Sequence, residues 1–417
     1  MSVLLRPLRT PISTLIPRHI RHPLLRAEVV GSSRCYATQM PQPMRDMMTG
    51  EIIQLPDIDA SHSSLLKIEK TTSPKPRLAP SKLIFGRTFT DHMLVIPWNS
   101  AGGWGTPNIK PYGPFLMDPS SSVLHYAFTL FEGMKAHRQE DGTVRLFRPD
   151  MNMRHLIKKL VVLDSEWIPK DPGYSLYIRP TLIGTQNVLG VGPSSEALLF
   201  VICSPVGPYY ASGFKPVSLM ATTKYVRAGP GGTGCFKIGA NYGPSVVPQV
   251  EAAKEGYGQI LWLLGEDHTL TEVGTMNLFV AFKKPDGTVE LVTPPLDDVI
   301  LPGVVRDSVL ALGRAHENGQ RIPGLPEKLQ VSERKMIMAE LVEAQKDSRL
   351  LEVFGTGTAA VVSAIDKIGY EKGDIAIPTG PEGMGQITKG MLDRLTGIQT
   401  GEIEHEWSVI ANDVKTA

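Results

Sequence analysis

Short apolar runs bounded by turn residues recur along this 417-residue chain. Residues 89–96, 174–183, 197–203, 217–221, 259–264, 277–282 and 289–292 each have the length and composition of a β-strand. These runs mix with helical segments, but without the regular strand–helix–strand alternation of a parallel α/β sheet. The pattern therefore predicts an α+β fold.

Turn signals and amphipathic segments give further local predictions. Asp141-Gly142 predicts the turn of a hairpin over 133–148, and Pro285-Asp286-Gly287 predicts a second hairpin turn. Residues 304–315 and 335–345 predict helices with one apolar face. Residues 120–131 predict a helix or a tight connection.

Composition excludes several classes of protein. The chain is 42% hydrophobic and 20% charged, with a formal net charge of +1, so nothing favours a nucleic-acid partner. No apolar stretch is long enough to span a bilayer, and no histidine pattern predicts a metal site.

The length favours two domains of ordinary size. We predict these divisions: transit peptide 1–36, N-terminal arm 37–80, small domain 81–205, interdomain loop 206–216 and large domain 217–417.

The first forty residues differ from the rest of the chain. They contain several arginines and no lysine, and Glu28 is their only acidic residue. This composition is typical of a mitochondrial transit peptide, and Arg34-Cys35-Tyr36-Ala37 is similar to a matrix-processing site. The alternative is a disordered basic tail.

Two segments carry residues suited to chemistry. Glycines surround Lys237 in GPGGTGCFKIGANYG (229–243), and such a segment allows close approach of backbone to a ligand. The alternative is a flexible surface loop. Glu272 lies in TEVGTMN (271–277), where the alternative is a capping or turn acid.

Two further segments suit an anion. Pro302-Gly303 precedes a predicted helix, whose first amides favour a phosphate, and the turn 355–358 offers amides and hydroxyls. Together with a lysine for an imine and an acid for a ring nitrogen, these groups match the needs of pyridoxal 5'-phosphate (PLP).

Several ordered motifs resemble the branched-chain amino acid aminotransferase family. They are FTDHML (89–94), LHYAFTLFEGMKA (124–136), SLYIRPTLIGT (175–185), SPVGPYY (204–210), GGTGCFKIGANYGP (231–244), TEVGTMN (271–277), LPGVVRDS (301–308) and FGTGTAAVV (354–362). The likeness extends over about residues 82–409. It implies the two-domain PLP fold type IV, a homodimer, and a mitochondrial protein nearest to fungal forms.

The resemblance implies a role for each matching residue. Lys237 matches the lysine that forms the Schiff base and moves the substrate proton. Tyr242 matches the tyrosine that bonds the ring hydroxyl, and Glu272 the acid that pairs with the pyridine nitrogen. The other cofactor contacts implied are Thr275 and Leu301 near the ring and Val304, Val305 and Thr358 on the phosphate.

The resemblance also implies the substrate pocket and the reaction. The pocket residues are Tyr126, Phe131, Tyr177, Arg179 and Tyr209, with Phe85 as a weaker candidate. Aromatic walls suit branched side chains, and Arg179 suits the distal carboxylate of glutamate. The implied reaction is reversible transamination of leucine, isoleucine or valine with 2-oxoglutarate. The alternatives are a D-amino-acid aminotransferase or an aminodeoxychorismate lyase.

The sequence departs from the family at two places. After Met153, about twenty residues that form a helix and its connection are missing, and with them a phosphate-binding arginine. Arg154 is the candidate substitute, although its offset from Asn152 differs by one position. The departure adds a catalytically impaired family member as an alternative. At 360–363, AVVS replaces the CxxC redox pair of some animal relatives, so we expect no such switch.

Overall fold

The computed structural model describes residues 44–45, 52–53, 63–149, 154–207, 215–371 and 373–412. The predicted transit peptide, half of the predicted arm and most of the predicted interdomain loop lie outside these residues. Within them, no helix is both long and apolar enough to cross a membrane.

The first large sheet is built from strands that precede residue 207 and from one strand near the C-terminal end. A separate short pair is formed by β1 (Met44–Arg45) and β2 (Ile52–Ile53). The sheet contains β3 (Lys67–Ile68), β4 (His92–Asn99), β5 (Gly103–Trp104), β6 (Asn108–Pro111), β7 (Thr129–Phe131), β8 (Met134–Arg138), β9 (Val144–Phe147), β10 (Ser175–Gly184), β11 (Glu196–Val206) and β21 (Ser408–Ile410). Its order is β21-β9-β8-β10-β11-β4-β6-β3, with β5 beside β4 and β7 beside β10.

The second large sheet closes partly on itself. It contains β12 (Val217–Thr222), β13 (Gln259–Leu264), β14 (Thr269–Val273), β15 (Met276–Lys283), β16 (Val289–Thr293), β17 (Leu329–Glu333), β18 (Leu350–Gly357), β19 (Val361–Tyr370) and β20 (Gly373–Ala376). Its order is β14-β13-β12-β19-β18-β15-β16-β17, with β20 beside β19. Because β14 also pairs with β15, a closed ring is formed by the strands β14, β13, β12, β19, β18 and β15.

Helices pack against the strands of these sheets. They are α1 (Ser122–Tyr126), α2 (Arg154–Leu163), α3 (Gly239–Tyr242), α4 (Val246–Lys254), α5 (Val304–Glu317), α6 (Met338–Lys346) and α7 (Gln386–Thr400). Most strand pairs are antiparallel, and the helices do not alternate with the strands. The predicted α+β class is confirmed.

The turn residues act as the sequence predicts. Gly142 adopts φ +89°, and its amide donates a 3.0 Å hydrogen bond to the carbonyl of Gln139, which closes the hairpin of β8 and β9. Gly287 adopts φ +84° and closes the hairpin of β15 and β16 in the same way through Lys284. Only glycine adopts such φ values without strain.

The core of the first sheet is sealed by α2. Leu156, Ile157, Leu160 and Val161 follow helical spacing and are fully buried against strand residues such as Ile178. Removing one of these side chains, as in Leu160→Ala, is expected to cost about 2–5 kcal/mol.

One predicted helix starts later than expected. The prediction placed its start at residue 335, whereas α6 begins at Met338. The amide of Leu270 donates to the carbonyl of Met336, and Ile337 forms a bridge with Thr269. Residues 335–337 are therefore held extended beside β14, because tertiary pairing overrides their helical preference.

Candidate active site

A cavity of about 560 Å³ collects most of the sequence-predicted site residues. Its lining includes Phe85, Phe131, Tyr177, Arg179, Lys237, Tyr242, Thr275, Leu301, Val304, Val305 and Thr358. These residues come from β7 and β10 of the first sheet, from α3, from the start of α5, and from loops and turns that include those next to β15 and β18. Segments that are up to 273 positions apart in sequence, from Phe85 to Thr358, thus contribute to one site.

Lys237 is fixed at the cavity wall through its backbone. Its carbonyl accepts a 2.9 Å hydrogen bond from the amide of Phe131, and the following residue, Ile238, bridges to Leu130. Its Nζ lies 3.4 Å from the hydroxyl of Tyr242 and 5.1 Å from the centre of the Phe131 ring. A half-buried amine beside a phenol suits a lysine that forms an imine and transfers protons.

The glycines around Lys237 allow close packing. A Cβ at Gly239, where α3 begins, would lie 2.5 Å from Cγ2 of Thr129 in β7. The loop therefore approaches β7 only because this position is glycine. This approach sets the start of α3, whose last residue is Tyr242.

Glu272 is a buried acid directly behind the cavity wall. Its Oε2 lies 2.6 Å from Nε of Arg227, and its Oε1 accepts hydrogen bonds of 2.8 Å from the Leu301 amide and 3.1 Å from Asn277 Nδ2. Burial raises the pKa of Glu272, while Arg227 and the Leu301 amide oppose that rise. Because Arg227, the Leu301 amide and Asn277 all donate to the Glu272 side chain, this arrangement stabilises its carboxylate form.

Arg227 and Asn277 are site residues that the sequence reasoning did not find. The Arg227 side chain is only 4% exposed, and its Nη1 also donates to the Val299 carbonyl at 2.8 Å. Asn277 faces Glu272 across the β14–β15 pair and also donates to the Leu301 carbonyl. Asn277 lay inside a motif already singled out, but no spacing pointed to Arg227. We call Lys237, Tyr242, Glu272, Arg227 and Asn277 the lysine side of the cavity.

A second group of residues in the cavity lining presents backbone amides and hydroxyls. We call this group, Val304, Val305, Thr356 and Thr358, the amide side. Val304 and Val305 form the first turn of α5, whose preceding residue, Gly303, has no side chain to cap it. A Cβ at Gly303 would lie 2.2 Å from Asn277 Oδ1. The first amides of a 14-residue helix are a ready site for an anion.

The two threonines of the amide side differ in their bonding. Thr358 donates a 3.2 Å hydrogen bond from its hydroxyl to the Gly133 carbonyl. The buried hydroxyl of Thr356 has no hydrogen-bond partner in the described part of the chain. A buried unpaired hydroxyl at a cavity wall is a group that a ligand oxygen would satisfy. The sequence analysis singled out the turn 355–358 that contains Thr356, but it assigned the phosphate contact to Thr358.

Cations near the amide side are already engaged. Arg148 donates to Asp307 at 2.6 Å and to Ser308 at 3.0 Å. Lys135 donates to the Ala359 carbonyl at 2.7 Å, and burial lowers the pKa of its amine to about 8. Arg154 begins α2, but its side chain lies outside the described residues, so its predicted phosphate contact stays a prediction.

Aromatic rings surround a cation on the predicted substrate wall. Phe85 packs edge-on against Tyr177 with ring centres 5.0 Å apart. Arg179 donates to the Tyr177 hydroxyl at 3.2 Å and lies 4.7 Å from the centre of the Phe131 ring. Buried Nε of Arg179 has no hydrogen-bond partner among the described residues.

One predicted substrate residue, Tyr126, does not line this cavity. The hydroxyl of Tyr126 donates to the carbonyl of Leu189, and Tyr126 is absent from the lining of the single chain. Tyr209 lies outside the described residues. Their predicted contacts with substrate, like the individual roles of the other site residues, stay predictions.

Known proteins match this chain over most of its length. The family Amino-transferase class IV matches residues 146–368. The mitochondrial branched-chain-amino-acid aminotransferase of Saccharomyces cerevisiae is 48% identical, covering 84% of this chain and 94% of the yeast protein. The cytosolic enzyme of the same yeast is 48% identical, covering 86% of this chain and 99% of its own length.

A solved structure supports the fold. The branched-chain amino acid aminotransferase of Escherichia coli matches with a TM-score of 0.56 and 23% identity, covering 77% of this chain and 99% of the bacterial one. This likeness confirms the predicted type IV architecture. From the sequence matches and the cavity we conclude that the chain belongs to the branched-chain aminotransferases of aminotransferase class IV.

Proposed function

We propose that the chain is a PLP-dependent aminotransferase that exchanges the amino group between leucine, isoleucine or valine and 2-oxoglutarate, reversibly. The observation that carries the proposal is the position of Lys237 in the cavity, beside Tyr242 and in front of the buried Glu272–Arg227 pair. The names of the relatives support the choice of branched-chain substrates.

The groups present fit PLP in charge and in kind. The amine of Lys237 suits the aldehyde, the carboxylate of Glu272 suits a protonated ring nitrogen, and the unpaired hydroxyl of Thr356 with the first amides of α5 suits the phosphate. When bound, PLP supplies an electron-accepting ring that stabilises negative charge at the substrate Cα.

The residues of the chain supply proton transfer and orientation. Lys237 Nζ would accept the proton from the substrate Cα and deliver it to the C4′ carbon of the cofactor, and its backbone attachment to β7 holds the amine at the cavity wall. Tyr242 lies 3.4 Å from that amine and restrains its direction. Arg227, through its 2.6 Å contact, keeps Glu272 charged and oriented.

The wall of Phe85, Phe131 and Tyr177 suits a branched apolar side chain, since it presents ring surface. Arg179 suits the distal carboxylate of glutamate or 2-oxoglutarate, since its Nε lacks a partner in the described part of the chain. The two substrates thus bind alternately against one wall.

A homodimer completes the proposal. Large apolar side chains are exposed at Leu130, Leu189, Val191, Phe236 and Val247, between 46% and 79% of their surface. Leu130 forms a backbone bridge with Ile238, and the Leu189 carbonyl accepts a hydrogen bond from the Tyr126 hydroxyl of α1. Large apolar side chains that are exposed in this way are typical of an interface between copies. Sedimentation equilibrium should give twice the mass of the chain, and a monomer mass would contradict it.

A mitochondrial location is also proposed, on the composition of residues 1–36. Yeast relatives occur in mitochondria and in the cytosol, so the family alone favours neither. A fluorescent fusion of the full chain should enter mitochondria, and the same fusion without residues 1–36 should stay outside. Equal distribution of both fusions would contradict the transit peptide.

The function is tested by a coupled assay of the purified chain with leucine and 2-oxoglutarate. Glutamate should form with leucine, isoleucine and valine and not with D-alanine, and an exposed-lysine variant, Lys254→Ala, should match the wild type. Turnover of D-alanine alone would instead identify another type IV enzyme. A chain that binds PLP but turns over none of these would be the impaired family member.

A further inference from the structure

Glu132 is an ionisable group of the cavity to which the reaction described above gives no task. It lies between Phe131 and Gly133 and lines the same cavity as Lys237 and Arg179. Its amide donates a 2.9 Å hydrogen bond to the carbonyl of Pro180, the residue after Arg179. The backbone therefore fixes Glu132 beside the proposed substrate wall.

The charged groups around Glu132 are not joined in ion pairs in the described part of the chain. Neither Glu132 nor Arg179 makes an ion pair within 4.0 Å in the described part of the chain. The Phe131 ring separates two cations, with Arg179 at 4.7 Å and Lys237 Nζ at 5.1 Å from its centre. The Glu132 carboxyl group accepts a hydrogen bond from the Gly133 amide and forms no ion pair among the described residues, so its charge can respond to a ligand.

The energetic problem of this pocket is that it receives two kinds of side chain. With an apolar side chain bound, a lone Arg179 would be buried without a counter-charge, which is costly. With a distal carboxylate bound to Arg179, a charged Glu132 would bring a second anion into the same pocket, which is also costly. A fixed charge on Glu132 serves only one of the two cases.

We propose that Glu132 adjusts the charge of the pocket to the substrate. Its carboxylate balances Arg179 when a branched apolar side chain is bound, and it takes up one proton from solvent when a distal carboxylate binds Arg179. The proton returns to solvent when that ligand leaves. The sum of charges on Arg179, Glu132 and ligand side chain is then the same for both substrates.

Burial supports this role by raising the pKa of Glu132 toward the range in which it takes up a proton, although Lys237, the Gly133 amide and Arg179 oppose the rise. The other charged and phenolic groups of the lining are Tyr177, Tyr242 and the two cations. None of them is a carboxylic acid, so none of them gives Arg179 a negative partner when an apolar side chain is bound.

Two unreactive ligands isolate the difference. Glutarate has the carbon skeleton of 2-oxoglutarate without the oxo group, and 4-methylvalerate has that of leucine without the amino group. Calorimetric titration of the PLP-loaded protein in two buffers with different heats of ionisation counts the protons bound. We expect close to one proton taken up with glutarate and none with 4-methylvalerate, and a glutarate Kd that rises with pH by up to about tenfold per unit.

Glu132→Gln removes the adjustable charge. The proton uptake and the pH dependence of the glutarate Kd should disappear, and the preference for glutarate over 4-methylvalerate at pH 8 should rise about tenfold or more. Glu140→Gln, an exposed glutamate eight positions along the chain, is the matched control and should behave as the wild type.

The inference rests on the proposed function, and the titrations separate the two. Binding of both ligands to the wild type without proton uptake would overturn the role of Glu132 and leave the aminotransferase in place, even if the variant did not fold. Uptake that persists in Glu132→Gln would also overturn it. Failure of both ligands to bind would overturn the proposed function and the inference with it.

Discussion

The lysine side and the amide side of the cavity are built differently. On the lysine side, charged side chains hold one another: Arg227 and Glu272 are 4% and 2% exposed and only 2.6 Å apart. On the amide side, the described groups are backbone amides of α5 and the hydroxyls of Thr356 and Thr358. The buried ion pair fixes the positions of its two side chains, whereas the amides and hydroxyls are available to bind an anion.

The difference assigns separate tasks to the two sides. In the proposed function the groups of the lysine side meet the reacting atoms, so the lysine side should determine the rate of the chemical step. The amide side is proposed to meet only the phosphate, so it should determine how tightly the cofactor is held. Substitutions should therefore separate into effects on kcat and effects on the Kd of PLP.

The largest effect is expected for Lys237→Ala. Loss of the amine removes the proton carrier, so kcat should fall by roughly 10⁴-fold even at saturating PLP. Stopped assays over long incubation measure the residual rate. Wild-type turnover in this variant would show that another group carries the proton.

A somewhat smaller effect is expected for Glu272→Gln. Losing the charge at the ring nitrogen should lower kcat by roughly 10²- to 10³-fold. The variant should also lose about 3–5 kcal/mol of stability, because Arg227 remains buried without its partner. Thermal unfolding and kcat are measured side by side.

The double variant Glu272→Gln with Arg227→Met separates these two consequences. Removing the unpaired guanidinium should restore most of the stability but none of the rate. Recovery of kcat in the double variant would mean that the single change acts only through misfolding, and that the lysine side has no direct catalytic charge.

The next effect concerns the departure after Met153. Inserting the roughly twenty residues that the family resemblance implies there, with their arginine, should add a charge-assisted contact and lower the Kd of PLP about 10- to 100-fold. The kcat at saturating PLP should stay within about threefold, because the lysine side is unchanged. Fluorescence titration of the apoprotein gives the Kd. An unchanged Kd would mean that the amide side is already complete.

The smallest effect is expected for Thr356→Val, which replaces a hydroxyl with a methyl group of similar volume. The Kd of PLP should rise about 2- to 10-fold, while the stability of the apoprotein stays equal or increases, since the hydroxyl is unpaired there. Thr293→Val is the matched control, because the Thr293 hydroxyl donates to the Leu278 carbonyl at 2.6 Å. The control should lose stability and keep its Kd; the reverse pattern would contradict the role of Thr356.

Local signals made part of this molecule predictable. Gly142 and Gly287 closed the two predicted hairpins because their φ values are positive, and Val304 started a helix after Pro-Gly. Lys237 was singled out because glycines surround it, and its place in the cavity follows from that same segment. Each of these features depends on a few neighbouring residues.

Long-range pairing made the rest unpredictable. Arg227 meets Glu272 only because strands far apart in sequence close into a ring, and no spacing in the chain records that contact. Helix α7 was missed, because its glycines and threonines are poor helix formers. Its buried residues Ile387, Met391 and Leu395 lie on one face of the helix and pack against the second sheet, a contact that the local sequence does not indicate.

The central claim is that Lys237 forms the bond with the cofactor aldehyde. Borohydride reduction of the PLP-loaded protein makes that bond permanent, and mass spectrometry of the digested chain locates it. The phosphopyridoxyl mass should appear on Lys237, and Lys237→Ala should carry none. A label on another lysine, or no label on a protein that turns over leucine, would contradict the assignment.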